Sequence, residues 1–391
     1  MDRVTTLVEF YSDNAINNVL GSFAFEPRRV IFLTDHDGDE GQRQNTVRAI
    51  GSRLPETEVA FCPVEEEKLD SVRETLEDLW RRYPDAVFDF TGGSETVLLA
   101  SFAFAVRKNV PMMHIHMESR SLINIQGCEG LERTFVFPRL TLEDHLNMNG
   151  AFVAGRGFPE PGEQMWPRLR GFCDLVLENQ PKWKEQCLYL QMAAARAKGL
   201  QVDNLAEFRT ADGVAVRGDE QYLRRLERVG MLEGLQARGD RLRFRFPDAE
   251  TRQCLCDSGK WLELHTYLLL KESGRFHDVR LSVRIGWGEQ EKQAGGTAYN
   301  EIDIIACAGS TPLFISCKSG LPNPNSMNEI LVYARKFGGV RAKAAMVTSS
   351  EISHGFVGLR KRAADLGTVI VDESDIKEGL AQGMLLDVLK S

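Results

Sequence analysis

An acid and a lysine in the last third of the chain have the types and spacing for phosphodiester hydrolysis. Asp303 lies in an alternating apolar segment, Lys318 ends a second apolar run, and Gly309-Ser310 separates the two runs. This pattern predicts a β-hairpin with Asp303 and Lys318 on neighbouring strands. A carboxylate can hold Mn²⁺ or Mg²⁺ against a phosphate, and an ammonium can position a water or neutralise the transition state. The pair therefore indicates metal-assisted hydrolysis.

This pattern resembles the restriction-endonuclease-like nucleases, in which a helix Glu is followed by an Asp and then by Glu-x-Lys. Asp303 and Lys318 match, whereas Ser316 stands where the Glu of Glu-x-Lys would be. A hydroxyl is a weaker ligand than a carboxylate for Mg²⁺ or Mn²⁺. The resemblance implies that Asp303, Lys318 and Glu263 are catalytic and that Asp303 and Glu263 bind the metal. Glu329, in the next helix pattern, is a further metal ligand that could compensate for Ser316.

Less specific interpretations exist for each of these residues. Asp303 and Lys318 could form a surface ion pair across the hairpin, although Lys318 follows an apolar run, where a solvated charge is least expected. Glu263 could be an ordinary exposed helix residue. Glu301 should share a strand face with Asp303, because side chains alternate along a strand. It is therefore a reserve ligand.

The segments around these residues predict an ordered α/β core. A helix capped near Asp257 carries Glu263, and a polar loop over 286–296 precedes the hairpin. The resemblance implies that residues 251–391 form a PD-(D/E)xK nuclease domain with a restriction-endonuclease-like core. The other predicted elements are a strand at Phe276–Ile285, a helix at Met327–Phe337, a strand at Ala344–Thr348, a helix at Phe356–Leu366 and a strand at Thr368–Val371.

Residues 1–150 alternate short apolar strands with helix patterns. Strands that are apolar throughout are buried on both faces, so the alternation predicts a doubly wound parallel sheet. Ligands of such sheets bind beyond the carboxyl ends of the strands, where glycines and helix N-termini accommodate phosphate. Loops at 12–14 and 91–95 fit that description. The predicted strands are Thr5–Tyr11, Arg29–Thr34, Val59–Val64, Ala86–Phe90, Pro111–Ile115 and Ser121–Ile125.

Neither loop is a Walker A or Gly-x-Gly-x-x-Gly motif, which argues against ATP hydrolysis and dinucleotide redox chemistry. The strand, Thr91-Gly92-Gly93-Ser94, helix arrangement resembles the CARF domain, the CRISPR-associated Rossmann-fold sensor of cyclic oligoadenylate. In that family both loops contact the ligand from the two halves of a homodimer. The alternative is an ordinary helix-capping turn, and Glu95 is an anion where the family has Lys or a polar residue. The resemblance implies these ligand-binding residues: Ser12, Asp13, Asn14, Thr34, Asp35, Thr91, Gly92, Gly93, Ser94 and Glu95.

Residues 151–250 predict a linker and a winged-helix-like spacer. Gly155–Gly162 has the glycine and proline content of a linker. Arg241, Arg243 and Arg245 share one face of a predicted strand, where they could contact phosphate or form an ordinary solvated face. The predicted spacer consists of helices at Trp183–Lys198 and Glu220–Gly230 and a hairpin at Met231–Phe246.

Composition narrows the class of protein. The 391 residues suggest two to three domains, and 43% hydrophobic with 27% charged residues is typical of a globular chain. A net charge of -8 argues against a protein that coats nucleic acid. The 8 cysteines are scattered, no signal segment precedes the first strand, and no apolar run could span a bilayer. We therefore expect reduced thiols and a cytoplasmic protein without a membrane partner.

Together these features resemble the CARF-fused ancillary nucleases of type III CRISPR antiviral defence. The resemblance implies a homodimer that cyclic oligoadenylate, in particular cyclic tetra-adenylate, activates to cleave DNA or RNA with Mn²⁺ or Mg²⁺. Two alternatives remain. The chain could be a ligand-responsive DNA-binding regulator whose nuclease core Ser316 has inactivated, or the CARF domain could itself degrade its ring ligand.

Overall fold

A computed structural model describes residues 3–35, 39–288, 299–352 and 357–389 of the chain. Strands and helices alternate in its first part, as the apolar runs predict. The elements are β1 (Thr6–Phe10), α1 (Asn17–Phe25), β2 (Arg29–Asp35), α2 (Glu40–Arg53), β3 (Glu58–Val64), α3 (Leu69–Arg82), β4 (Val87–Asp89), α4 (Glu95–Lys108), β5 (Met112–His116), β6 (Ser121–Gln126), α5 (Glu129–Thr134) and α6 (Leu142–Met148).

The first sheet has the strand order β3-β2-β1-β4-β5-β6. Strands β1 to β5 are parallel, and β6 is antiparallel to β5. Leu7 and Val87 pack into the apolar cluster on one face, and Val8 and Phe88 pack into the cluster on the other. Burial on both faces explains why these strands are mostly apolar. The order reverses between β1 and β4, which is where doubly wound sheets bind ligands.

The middle region contains the predicted hairpin, and it turns at Gly239, whose φ is +60°. A strand that the sequence did not predict adds to it, so that a three-stranded sheet with the order β11-β12-β8 forms. The elements are a 3₁₀ turn (Glu163–Met165), α7 (Trp166–Glu178), α8 (Gln180–Ala194), β8 (Gln201–Leu205), β9 (Glu207–Arg209), β10 (Ala215–Arg217), α9 (Glu220–Arg228), β11 (Glu233–Arg238) and β12 (Arg241–Arg245).

The second six-stranded sheet has the order β17-β16-β15-β14-β13-β7. Part of the predicted 286–296 loop and the start of the predicted Phe356–Leu366 helix lie outside the described residues. The elements are β7 (Ala151–Arg156), α10 (Ala249–Leu255), α11 (Lys260–Glu272), β13 (Asp278–Trp287), β14 (Asn300–Ala308), β15 (Thr311–Lys318), α12 (Pro324–Gly338), β16 (Lys343–Thr348), α13 (Val357–Asp365), β17 (Thr368–Val371), α14 (Glu373–Lys377) and α15 (Ala381–Asp387).

Strand β7 corrects the predicted linker at Gly155–Gly162. Gly155 and Arg156 end this strand, which pairs antiparallel with β13. Local composition could not reveal the strand, because its partner lies more than a hundred residues further along the chain. The first residues of the predicted spacer therefore belong to the edge of the second sheet.

The middle region and one face of the second sheet share one apolar core. Phe172 and Trp183 pack in the same cluster as Leu262, Ile304 and Leu313. The spacer is thus packed against the last region, and the division at residues 150 and 250 stays a prediction. Within the described ranges, no helix is both long and apolar enough to cross a membrane.

Candidate nuclease centre and ligand loops

Asp303 lies on β14 and is held by the next strand. Its Oδ2 accepts a hydrogen bond from the backbone N–H of Cys317 at 2.7 Å and one from Ser316 Oγ at 3.4 Å. No described residue donates to its other oxygen. Burial raises the pKa of Asp303, against the opposing effects of the Cys317 N–H and the Lys318 ammonium. The carboxyl thus has one fixed oxygen and one free oxygen.

Glu263 approaches the same place from α11, and its side chain is only 15% exposed. Its Oε2 lies 2.6 Å from Lys260 Nζ and accepts from Ser282 Oγ at 3.1 Å. Burial raises the pKa of Glu263 to about 7; Lys260 opposes that rise, and the charge of Asp303 adds to it. The structure therefore brings Glu263 into electrostatic contact with Asp303, and it excludes the interpretation of Glu263 as an exposed helix residue.

Lys318 ends β15 and lines a small cleft with Asp303 and Ser316. It forms no ion pair with any described residue, so the predicted alternative of a surface Asp303–Lys318 pair is not formed. The cleft has a volume of about 70 Å³, which is room for a few waters or a hydrated ion and not for a nucleotide. Lys318 is therefore an ammonium beside a buried carboxylate, without an ion-pair partner among the described residues.

Glu329 and Glu301 line the same cleft. Glu329 is exposed and its Oε1 lies 3.0 Å from the hydroxyl of Tyr333 on the same helix. Glu301 is 3.0 Å from Arg284 Nε across the strand pair. Both carboxylates thus reach the Asp303 cleft, but each already has a partner there.

The carboxyl groups of Asp303 and Glu263 fit a divalent cation as a pair. Over the described part of the chain, no three His, Cys, Asp or Glu side chains are grouped closely enough to hold a metal, so the predicted set with Glu329 is not assembled. Each of the two carboxyls has one oxygen to which no described residue donates, and the charge of Asp303 raises the pKa of Glu263. Mg²⁺ binds through one or two carboxylates and keeps several waters, which suits this pair.

Sequence reasoning did not identify Lys260, Ser282 or Tyr333 as parts of this centre. Lys260 and Glu263 are three residues apart on a helix, and that spacing puts them on one face. This three-residue spacing was the one sequence signal that could have connected Lys260 with Glu263. Ser282 and Tyr333 carry no motif, and only the packing of β13 and α12 places them here.

The two predicted ligand loops meet at the carboxyl ends of β1 and β4. A Cβ atom on Gly92 would lie 2.9 Å from Ser12 Cβ, and one on Gly93, whose φ is +113°, would lie 2.5 Å from Phe10 Cβ. The Ser12 backbone N–H donates to Asn18 Oδ1 at 2.9 Å, which fixes the first loop. Glycine is therefore required at 92 and 93 for this close approach.

The second loop leads into α4 and contains one buried hydroxyl without a hydrogen-bond partner among the described residues. Ser94 is the residue before the helix, and its buried Oγ has no hydrogen-bond partner in the structure. Thr91 Oγ1 accepts from the Ile115 N–H at 2.9 Å and contacts Asp89, while Glu95 is exposed in the first turn. The N-terminus of this helix can attract an anion, although Glu95 adds a negative charge there.

The end of β2 lies at the same edge of the sheet. Thr34 is buried, its Oγ1 accepts from Arg43 Nη2 at 3.3 Å, and the carbonyl of Asp35 accepts from the same guanidinium. Thr34 thus serves packing and hydrogen bonding in the structure as described.

A cleft of about 290 Å³ separates the first loop from the end of α12. Asp13 and Asn14 line one side of this cleft, and Arg335 and Arg341 line the other. Helix α12 also carries Glu329 to the nuclease cleft. One helix thus lines both the cleft beside the first predicted ligand loop and the Asp303 cleft.

The arginine face of β12 is partly neutralised. Arg241 pairs with Asp203 at 3.0 Å, and Arg245 pairs with Glu233 at 2.9 Å. Only Arg243 has no ion pair with a described residue. Such exposed pairs lower the positive potential of the face, which weakens the case for phosphate binding there.

Part of the sequence matches a family model, and the fold is similar to solved structures. Residues 248–385 match the family model of the Card1-like endonuclease domain. Protein VC1899 from Vibrio cholerae is similar over 97% of this chain and 97% of its own, with a TM-score of 0.73 and 19% identity. Can2 from Sulfobacillus thermosulfidooxidans, in complex with cyclic tetra-adenylate, is similar over 99% and 98%, with a TM-score of 0.66 and 18% identity.

A third structure, a type III CRISPR defence DNA nuclease activated by cyclic oligoadenylate, is similar over 90% of this chain and 47% of its own length, with a TM-score of 0.50 and 15% identity. No curated protein matches the sequence. The predicted α/β fold class and the resemblance to CARF-fused CRISPR nucleases are confirmed by these similarities. At such identities the solved structures show the fold alone.

Proposed function

We propose that this protein is a metal-dependent nuclease of type III CRISPR defence that cyclic tetra-adenylate activates. The observation that carries the proposal is the convergence of Asp303, Glu263 and Lys318, which has no ion pair with a described residue, in the region that matches an endonuclease family model. A buried acid pair beside a free ammonium suits phosphodiester hydrolysis better than it suits structural support.

The roles of the residues follow from their contacts. Asp303 and Glu263 would hold Mn²⁺ or Mg²⁺, which polarises the phosphate and acidifies a water. Lys318 orients that water or neutralises the charge that develops on the phosphate in the transition state. The Cys317 N–H keeps Asp303 in place from the strand beside it. Ser316 supplies a hydrogen bond to Asp303 in place of a third carboxylate.

Activation is supported by the ligand loops. The loops at Ser12–Asn14 and Thr91–Glu95 touch at the point where the sheet order reverses, and the neighbour Can2 was solved with cyclic tetra-adenylate. The first loop and α12 face each other across a cleft. A ligand that moves this loop can therefore change the position of α12, provided that it binds the two arrangements with different affinity.

The test of the proposal is a cleavage assay on supercoiled plasmid, single-stranded DNA and RNA, with Mn²⁺ or Mg²⁺, each with and without cyclic tetra-adenylate. We expect cleavage that requires both metal and ligand. Lys318→Met, which keeps the apolar stem and removes the charge, should lower the rate at least about a hundredfold and leave ligand binding unchanged. Ligand binding by the wild type without any cleavage would contradict the proposal and favour the regulator.

Homodimer formation belongs to the same proposal and has a surface to support it. Leu99, Phe102 and Val106 form a stripe along α4, with exposures of 71%, 45% and 51%. Their spacing puts them on one side of the helix, directly after the Thr91–Glu95 loop. A second copy that covers this stripe would bring two ligand loops together, as the CARF resemblance implies.

Leu99→Glu should weaken the dimer at least about tenfold, because a charge would be buried in an apolar contact. Sedimentation velocity over a range of concentrations measures the effect. Val47→Glu is the matched control, since Val47 is a 42% exposed residue of helix α2. A dimer of unchanged strength in Leu99→Glu would exclude this stripe as the interface.

A further inference from the structure

Lys260, the first residue of α11, is buried beside the candidate centre. Its side chain is only 7% exposed. Its Nζ lies 2.6 Å from Glu263 Oε2, 3.3 Å from Ser282 Oγ and 5.3 Å from the centroid of the Phe158 ring. Every contact of this ammonium is therefore inside the protein, and one of them is a candidate metal ligand.

An ammonium in such a position costs several kcal/mol of desolvation unless its partners compensate. Here the compensation comes from Glu263, one helical turn further along the same face, and from the π face of Phe158. A methionine of similar length would fill the space without that cost. A charge at this position therefore indicates a role beyond packing.

Ser282 provides a second, independent sign of a built site. Its φ is +49° in the middle of β13, a conformation that side chains rarely adopt. The strand register passes from Leu281 opposite Ile304 to Val283 opposite Ile302, so Ser282 and Asp303 lie between paired positions. Backbone strain of this kind gathers at functional sites. Here it turns Ser282 Oγ toward Lys260 and Glu263.

The three groups form a closed triangle. Lys260 Nζ donates to both Glu263 Oε2 and Ser282 Oγ, and Ser282 Oγ donates to the same Glu263 oxygen. Both donors hold Oε2, so Oε1 is the Glu263 oxygen that no described residue binds. The triangle therefore determines which carboxylate oxygen of Glu263 is held by the protein and which is left for another ligand.

We propose that Lys260 is a positioning residue for the nuclease reaction, which orients Glu263 and balances its charge. This inference rests on the proposed function. Without a carboxylate at position 316, Asp303 and Glu263 are the two buried carboxyls of the centre, and Lys260 is the buried ammonium that contacts Glu263. In place of the Glu of the Glu-x-Lys pattern, the centre thus has a Glu263 that Lys260 and Ser282 hold in position.

A double-mutant cycle on cleavage tests this inference. Lys260→Met should lower kcat at least about tenfold with KM for nucleic acid unchanged, since misplacing a reacting group by about 1 Å costs up to about a hundredfold. Glu263→Gln should cause a larger loss. In the Glu263→Gln background, Lys260→Met should cause no further loss, because the residue that Lys260 positions is already neutral.

Lys271→Met is the matched control, because Lys271 is on the same helix and its ammonium lies over the ring of Tyr267, with no ion pair to a described residue. We expect its kcat to equal that of the wild type. If Lys260→Met fails to fold in a thermal unfolding assay, Ser282→Ala takes its place in the cycle, and its loss should likewise vanish in the Glu263→Gln background.

Two outcomes would overturn the role of Lys260 alone. One is a folded Lys260→Met variant that cleaves with the kcat of the wild type. The other is a double variant whose loss of kcat equals the product of the losses in the two single variants. Absence of cleavage by the wild type with ligand bound is a different result. It removes the proposed function, and with it the reaction that Lys260 would serve.

Discussion

Asp303→Asn should reduce the rate of nucleic-acid cleavage at least about a hundredfold and leave the binding of cyclic tetra-adenylate unchanged. The amide has the shape of the carboxyl, and its oxygen can still accept from the Cys317 N–H, so the strand pairing should survive. The loss comes from the charge. A neutral amide at position 303 can neither hold a divalent cation nor attract the Lys318 ammonium electrostatically.

Initial rates on the substrate that the wild type cleaves measure this effect, with ligand binding followed separately by calorimetry. Asp365→Asn is the control, since it makes the same change at an exposed position of helix α13. Glu329→Gln and Glu301→Gln should cost much less than Glu263→Gln, because both residues lie nearer the surface. Full activity in Asp303→Asn would refute the assignment of the centre.

Glu9→Gln should raise the free energy of unfolding at pH 7 to 8. It should also reduce the change of this free energy with pH below that range. Glu9 and Asp89 lie directly opposite each other on β1 and β4, 3% and 1% exposed. A Cβ atom on Gly21 would lie 2.5 Å from Asp89 Oδ2 and 2.9 Å from Glu9 Oε1, so both carboxyls lie against this glycine. Glu9 Oε2 and Asp89 Oδ2 have no hydrogen-bond partner.

The direction of the pH effect follows from the pKa values. Burial raises the pKa of Glu9, and the Asp89 charge adds to the rise. Burial likewise raises the pKa of Asp89 to about 6, against the hydrogen bonds from Thr91. A carboxyl with a raised pKa in the folded state contributes stability below its unfolded pKa and loses it as the pH rises through the folded one.

For Asp89 the rise from 3.8 to about 6 corresponds to about 3 kcal/mol of unfolding free energy, lost between about pH 4 and pH 7. Glutamine at position 9 removes one of the two charges, and its amide can donate to the unpaired Asp89 oxygen. Chemical denaturation at pH 5, 6, 7 and 8 measures the change. Glu56→Gln is an exposed control. If the free energy of unfolding changes with pH by the same slope in the wild type and in Glu9→Gln, the acid pair is not the cause of the pH dependence.

This acid pair also lies under the Thr91–Glu95 loop. Asp89 Oδ1 accepts from the Thr91 backbone N–H at 2.9 Å and contacts the Thr91 hydroxyl. Thr91, the first residue of the Thr-Gly-Gly-Ser loop, is thus hydrogen-bonded to Asp89, a buried carboxyl of this acid pair. Local sequence predicted the loop and could not predict what supports it.

The sequence by itself determined the parts of this protein that depend on local pattern. Alternating apolar residues and a Gly-Ser turn predicted the hairpin that carries Asp303 and Lys318, because strand periodicity is written into neighbouring residues. Apolar strands between helix patterns predicted the first sheet for the same reason. The sequence also predicted that the two loops lie at one edge of this sheet, since parallel strands end at one edge, whereas their contact depends on the pairing of β1 with β4.

Only the tertiary structure decided the contacts between distant segments. The pairing of β7 with β13, the approach of Glu263 to Asp303, the Glu9–Asp89 register and the triangle of Lys260, Glu263 and Ser282 each join residues from separate elements. Lys260 and Glu263 are neighbours on a helix, but whether that helix face is buried depends on β13. No local pattern specifies which faces pack together, because burial and register are set by the whole chain at once.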